Sequence, residues 1–344
     1  MTMRWLAAFL PLCLAFCLAL AALPAAAQSA DVAVTQAAPE GSPVARHGAL
    51  SVEGNRVVDA SGEPVTLRGM SLFWSQWEPE YYSRETVDWL VDDWRITAIR
   101  AAIAVAPEDS ALTEYDREMA KARIVIDAAV ANGIYVIIDW HAHTQHPAEA
   151  SRFLSQIARE YGHLPNIIYE PFNELLAEGV EWTRDVRPYH MQVIGAIREV
   201  DPDNLVIAGS PFWSQHVDVA ASDPLPFTNI AYTLHYYAAT HRQELRDRGA
   251  LAMERGVALF ITEFGTVEAT GNGELDLAES NAWWDWAEAN GISWLNWSIA
   301  DKDETSAALR PGAPPSGWSD EDLTESGRLL RARLRAAAEA EGYR

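Results

Sequence analysis

Eight short apolar runs, most of them separated by a stretch of helical periodicity, constrain this chain more than any other feature. The runs are Thr66–Met70, Ile96–Ala101, Ile134–Asp139, Ile167–Pro171, Leu205–Ala208, Ile230–His235, Ala258–Glu263 and Ser293–Trp297. Helical patterns fall at Arg84–Asp93, Glu114–Asn132, Ala148–Tyr161, Arg187–Val200, His241–Arg255 and Leu275–Asn290. Strands buried on both faces read as continuous apolar runs, and parallel neighbours need crossover helices between them. About eight such units predict an α/β fold, the (β/α)8 TIM barrel, over an open doubly wound sheet. Asn132-Gly133 and Asn290-Gly291 read as helix C-caps that lead directly into strands. No Gly-x-Gly-x-x-Gly follows a strand, so a dinucleotide-binding fold has no support. Before the first run, short alternating stretches around Gly54-Asn55 and Ser61-Gly62 predict a short N-terminal β-hairpin that caps the closed end of the barrel.

The runs end in polar or aromatic residues. Arg100 follows Thr97-Ala98-Ile99, Asp139-Trp140-His141 ends the third run, and Asn173-Glu174 closes the fourth. His235-Tyr236-Tyr237 ends the sixth, Glu263 the seventh and Trp297 the eighth. An unpaired carboxylate at the tip of a buried strand is costly to desolvate, so packing gives no reason for it. In a parallel barrel the C-terminal strand tips form the catalytic face. Two carboxylates there, Glu174 and Glu263, are the equipment of glycoside hydrolysis.

The first 27 residues read as a signal peptide. Arg4 supplies the basic start, Leu6–Leu23 the apolar stretch and Ala25-Ala26-Ala27 the small-residue cleavage site. The chain's two cysteines, Cys13 and Cys17, both fall inside this segment, so the mature protein would have neither disulfide nor thiol nucleophile. Residues 28–46 mix Ala, Pro, Gly, Ser and Thr without periodicity and are expected to be a disordered leader. Residues 47–344 are then one catalytic domain. The expected location is outside the cell or in a periplasm, with no membrane attachment after cleavage and a monomeric state. The formal net charge is −23, and one unit more negative without Arg4, which disfavours nucleic acid and anionic membranes as partners. The 14 tryptophans suit a neutral sugar, whose flat apolar faces stack on indole.

Five motifs carry a resemblance to glycoside hydrolase family 5, in its cellulase (endo-β-1,4-glucanase) branch. They are Val136-Ile-Ile-Asp-Trp-His141, Ile168-Tyr-Glu-Pro-Phe-Asn-Glu174, Tyr232-Thr-Leu-His-Tyr-Tyr-Ala-Ala-Thr-His241, Phe260-Ile-Thr-Glu-Phe-Gly265 and Ser293-Trp-Leu-Asn-Trp-Ser-Ile-Ala-Asp-Lys-Asp-Glu304. The resemblance implies retaining hydrolysis of β-glucan without metal or other cofactor, with Glu174 as acid/base and Glu263 as nucleophile. It implies that Arg100 bonds the nucleophile, that Asn173 bonds the sugar 2-hydroxyl, and that His141 and His235 line the reacting subsite. Tyr237 resembles the tyrosine whose hydroxyl faces the nucleophile, and Trp297 the platform under the reacting sugar. Trp77 and Trp213 are expected to stack on sugars to either side, and Lys302 and Glu304 to bond hydroxyls one subsite upstream. Glu174 must stay protonated near working pH, and the charge of Glu263 is expected to help hold it so.

Three positions depart from the family pattern. Phe73, in Met70-Ser-Leu-Phe-Trp74, stands where relatives have a histidine, Leu175 follows the acid/base residue in place of proline, and Phe264 follows the nucleophile in place of tryptophan. These bear on polymer preference, so mixed-linkage glucan and mannan remain alternatives to cellulose. Two other readings stand beside the glucanase: a metal-dependent hydrolase using His141, His143 and His146, and a non-catalytic glycan-binding barrel.

Overall fold

A computed structural model describes residues 37–175 and 179–343. The expected signal peptide and the first part of the leader lie outside the described residues. Two strands, β1 (Ser51–Glu53) and β2 (Arg56–Val58), pair antiparallel as the expected hairpin. Eight strands close the barrel. They are β3 (Arg68–Leu72), β4 (Ala98–Val105), β5 (Tyr135–Ala142), β6 (Ile167–Glu170), β7 (Val206–Ala208), β8 (Ile230–Thr233), β10 (Ala258–Ile261) and β12 (Ser293–Ile299). All eight neighbour pairs are parallel, and β12 returns to β3. Above the rim, β9 (Tyr236–Tyr237) and β11 (Phe264–Gly265) extend β8 and β10 as a separate parallel pair.

Alternation along the strands sorts the barrel interior into two halves. Ala98, Tyr135, Ile168, Ile207, Ala231, Ala258, Phe260 and Leu295 form an apolar lower plug, with Leu50, Val57 and Val65 of the hairpin segment packed against it. Two residues beyond Ala98, Ile137, Ile168, Ala231 and Phe260 of that plug stand Arg100, Asp139, Glu170, Thr233 and Thr262, all fully buried. The barrel is therefore dry and apolar at its closed end and charged at its open end. Close strand contact fixes one residue outright. A side chain on Gly69 would place its Cβ 1.8 Å from the Ala98 carbonyl oxygen, so only glycine fits.

Two strands run further than expected, because polar residues inside the barrel do not end a strand. Arg100 is the third residue of β4, not its tip, and His141 is the seventh residue of β5. Helices Tyr115–Asn132, Pro147–Tyr161, Arg187–Arg198, Gln243–Glu254 and Leu277–Ala289 stand where periodicity predicts them. The expected helix Arg84–Asp93 is α-helical only over Arg84–Trp89 and continues as a π turn over Leu90–Trp94.

Among the elements that were not expected, two helices stand at either end of the folded unit. The last ten residues of the supposed disordered leader are described here as part of the folded unit, and they include most of a helix, Pro43–His47. Ser42 caps that helix, Pro43 opens it, Val44 is buried, and the Val44 amide bonds the Gly133 carbonyl. The second is the helix Glu325–Glu341, capped by Thr324 and docked through Leu330, Leu334 and Ala338. Among the described residues no helix is long and apolar enough to cross a membrane.

Candidate active site

Glu174 lies four residues beyond the end of β6, on the loop, and its amide bonds the Ala142 carbonyl at the end of β5. Glu263 follows β10 by two residues. Oxygen atoms of these two carboxylates and a ring nitrogen of His235 all lie within 4.8 Å of one another. They open into a cleft of about 500 Å³ whose wall also includes His143, Trp213, Tyr237 and His241.

Arg100 is the hub beneath the pair. Its Nε donates to Glu170 Oε2 at 2.7 Å and its Nη2 to Asn173 Oδ1 at 2.7 Å. Nη2 also stands 2.9 Å from Asp139 Oδ2, and Nη1 reaches Glu263 Oε2 at 3.4 Å. Tyr237 donates its hydroxyl to Glu263 Oε1 at 3.0 Å. Glu263 thus faces a guanidinium on one oxygen and a phenol on the other. The ring of His235 meets Glu174 Oε1 at 2.8 Å through Nδ1 and Thr262 Oγ1 at 2.9 Å through Nε2.

Burial pushes Glu174 up to about 7, Arg100 opposes that shift, and the charge of Glu170 adds to it. Repulsion between two carboxylates is reciprocal, so Glu263 helps to hold the proton on Glu174, and the charge of Glu170 is a further contributor. Burial and the charge of Glu174 also raise Glu263, against the pull of His235, Arg100 and the Tyr237 hydroxyl. Of the two, Glu263 has the donors that stabilise an anion, so a single proton held by the pair resides on Glu174. Burial lowers His235 to about 4, so its ring is neutral at neutral pH.

His141 is buried against Asp139, with Nδ1 2.6 Å from Oδ2, and its ring stacks on Trp297 at 4.9 Å between centroids. Trp297 is itself only 6% exposed and also touches Phe73, so much of its surface is already covered. Trp77, 60% exposed, continues that aromatic group outward through contacts with Phe73 and Trp74. Lys302 stands 4.4 Å over the Phe73 ring and pairs with Glu304 at 2.5 Å. Lys302 and Glu304 border a neighbouring hollow with Asn272 and Arg310, not the main cleft. His146 bonds Thr144, and among the described residues no cluster of three potential ligand side chains contains two of His141, His143 and His146.

Trp213 reaches the cleft from an unusual turn. Phe212, Trp213 and Ser214 all have left-handed φ angles, 58°, 53° and 56°. Each such residue costs roughly 1–2 kcal/mol, so the surroundings must impose the shape. They do so from the site itself: Ser214 Oγ donates to the Asn173 carbonyl at 2.9 Å, and the His235 amide donates to the Ser214 carbonyl at 3.2 Å.

Sequence reasoning missed two residues here. Glu170 is the last residue of β6, fully buried between Arg100 and Thr262. Its signal was present, an acid closing an apolar run, but Glu174 four residues later drew the assignment. Thr262 gave no signal, since a threonine in a strand is ordinary.

The sequence from residue 58 to 303 matches the cellulase (glycosyl hydrolase family 5) model. The chain belongs to glycosyl hydrolase family 5. Among family relatives, Endoglucanase N of Pectobacterium atrosepticum is 43% identical over 306 residues, covering 87% of this chain and 68% of its own. This chain spans between 40% and 68% of the length of seven curated relatives that it matches. A solved structure from Cytophaga hutchinsonii is 48% identical with a TM-score of 0.85, covering 87% of this chain and 98% of that one. The catalytic domain of Thermobifida fusca endoglucanase Cel5A, solved as a variant in complex with cellotetraose, is 32% identical with a TM-score of 0.81, covering 86% and 99%. As a family 5 member with a closed (β/α)8 barrel, the chain is a glycoside hydrolase.

Proposed function

We propose that this protein is a secreted endo-β-1,4-glucanase that cleaves internal bonds of a β-glucan chain with retention of configuration. The observation that carries the reading is the proximity of the Glu174 and Glu263 oxygens, within 4.8 Å, at the floor of an open cleft. Retaining enzymes hold their carboxyl groups about 5–5.5 Å apart, whereas inverting enzymes need about 6.5–9.5 Å to admit a water.

In the first step a Glu263 oxygen attacks the anomeric carbon. The glycosidic C–O bond breaks with its electrons on the leaving oxygen, which takes the proton of Glu174. In the second step water attacks the same carbon and gives a proton to Glu174, and the bond to Glu263 breaks. Arg100 and Tyr237 keep Glu263 ionised for attack, and Asn173, held by Arg100, offers its amide to the 2-hydroxyl. His141 and His235 border the reacting sugar, with Trp297 beside it. Trp213 receives the leaving-group side, and Trp77, with Lys302 and Glu304 beyond, the opposite side. The aromatic row of Trp77, Trp74 and Phe73 favours a polymer over a small glycoside. The basic start, apolar stretch and alanine-rich cleavage site of residues 1–27 support export, and we read the mature enzyme as a monomer.

Reducing-sugar release from carboxymethyl cellulose, with mixed-linkage glucan and mannan alongside, tests the reading in wild type and Glu263→Gln. Release by wild type that vanishes in the folded variant is expected. Ordinary release by Glu263→Gln would overturn it.

A further inference from the structure

The hydrogen bonds beneath Glu174 form one chain whose directions can be assigned. Glu170 is the buried ion-pair partner of Arg100, with 2.7 Å between Oε2 and Nε, so it is a carboxylate that only accepts. Its other oxygen, Oε1, therefore takes the single proton of the Thr262 hydroxyl at 2.7 Å. Thr262 Oγ1 has two further neighbours, Thr233 Oγ1 at 2.5 Å and His235 Nε2 at 2.9 Å. Having given its proton to Glu170, Thr262 accepts from both. Thr233 can donate because its own oxygen already accepts from the Thr262 amide at 3.3 Å. His235 must then carry its proton on Nε2. In a neutral imidazole only one nitrogen is protonated, so Nδ1 presents a lone pair to Glu174 Oε1 at 2.8 Å. A carboxylate there would set acceptor against acceptor, whereas a carboxylic acid completes the bond.

We propose that Glu170 and Thr262 are positioning residues that fix the His235 tautomer and thereby keep a proton on Glu174 before substrate arrives. The inference rests on the acid/base role given to Glu174 above. It supplies what each half of the reaction needs. The resting acid is loaded, and turning the carboxyl about its Cγ–Cδ bond presents the proton to the leaving oxygen. Once that proton is gone, the carboxylate again meets the Nδ1 lone pair, which makes it a stronger base toward the incoming water.

The groups that act on Glu174 and His235 from the surrounding elements are Arg100 on β4, Glu170 on β6, Glu263 beyond β10 and Asp139 on β5, whose carboxyl burial pushes well above the usual range. The neutral titratable groups are His141 and His143 from β5 and its following loop, and Tyr237 on β9. Thr262→Val leaves every one of these side chains in place and removes only the hydroxyl that joins Glu170 to His235, so a shift in that variant reports the relay. Glu170→Gln has a more specific consequence. Its amide oxygen must face Arg100, so its NH2 faces Thr262 and reverses the chain: Thr262 donates to Nε2, and Nδ1 carries the proton.

Two readouts test this. The first is the 15N spectrum of histidine-labelled protein, with His235 assigned by its loss in His235→Gln. Wild type is expected to show the Nε2–H tautomer and Glu170→Gln the Nδ1–H tautomer. The second is the pH profile of kcat/KM. Thr262→Val is expected to move the alkaline limb down by about one pH unit, a loss of ~10-fold on that limb, and Thr262→Ser to restore it. An Nδ1–H tautomer in wild type, or an unmoved limb in folded Thr262→Val, would overturn the proposal. The tautomer is read without turnover, so an inactive wild type would refute the glucanase reading and leave this test standing.

Discussion

Arg68 and Arg100 are both barrel-strand arginines, on neighbouring strands, and both hold more than one carboxylate. Arg68 sits at the closed end and grips Glu288 with a two-pronged contact at 2.8 and 2.5 Å, and Glu341 at 2.6 Å. The side chains of Glu288 and Glu341 are 31% and 37% exposed, so water screens the second negative charge. Glu341 lies at the end of the C-terminal helix, and the contact pins that helix beneath the barrel. Arg100 faces Asp139, Glu170 and Glu263, all three buried, with Glu174 close by. One guanidinium cannot neutralise that many carboxylates away from water. The excess negative charge raises proton affinity in the site, and that is a property a hydrolase uses and a brace does not. At the closed end the ion pairs fasten secondary structure. At the open end they keep carboxylates in unequal protonation states.

The largest break in this comparison is expected from removing one acid at each end. Glu263→Gln should lower kcat on the order of 10^4-fold or more while leaving a folded protein. Glu288→Gln should leave kcat unchanged, as steady-state rates on a soluble β-glucan will show. Next come the arginines. Arg100→Met strands several buried carboxylates and should destabilise the fold by about 3–5 kcal/mol. Arg68→Met, whose partners can turn to water, should lose about 1–2 kcal/mol with activity retained. Denaturant titration at pH 7 measures both.

Glu174→Gln sharpens the comparison with the opposite sign. Glu174 is pushed to about 7 from the ordinary 4.5, so the native state holds a proton that the unfolded chain has lost. Wild-type stability therefore falls as pH rises through that window and stays lowered above it. The variant has nothing to ionise. It should match wild type near pH 4 and exceed it by about 1–3 kcal/mol at pH 8, in melts compared across pH. The smallest effect is expected at the cleft wall, where Trp213→Ala should raise KM by several-fold, about 1 kcal/mol, with kcat less affected.

Much of the fold was legible because eight strands buried on both faces are apolar over most of their length. What the sequence hid follows from the same alternation. Arg100 and Asp139 read as strand ends because a charge in a strand normally marks its exit to water. In this barrel the interior is itself polar above the plug, so β4 and β5 continue past them. The C-terminal helix was overlooked because arginine and glutamate dominate it, although Leu330, Leu334 and Ala338 keep a four-residue spacing and Thr324 marks its start. At the site, Glu174, Glu263, Arg100, Asn173, His235 and Tyr237 do converge, but Lys302 and Glu304 mainly pair with each other to one side. Side-chain pairing across loops leaves no trace in linear spacing. The relay through Thr262 was hidden for a related reason, since its partners are 27, 29 and 92 residues away.

The central claim is that Glu174 and Glu263 work as a close retaining pair. Following the anomeric protons by NMR during hydrolysis of a soluble cello-oligosaccharide tests it most directly. The account predicts that the newly formed reducing end appears first as the β-anomer and reaches the equilibrium mixture only by later mutarotation. Initial release of the α-anomer would mean inversion, and would contradict the assignment of Glu263 as a nucleophile.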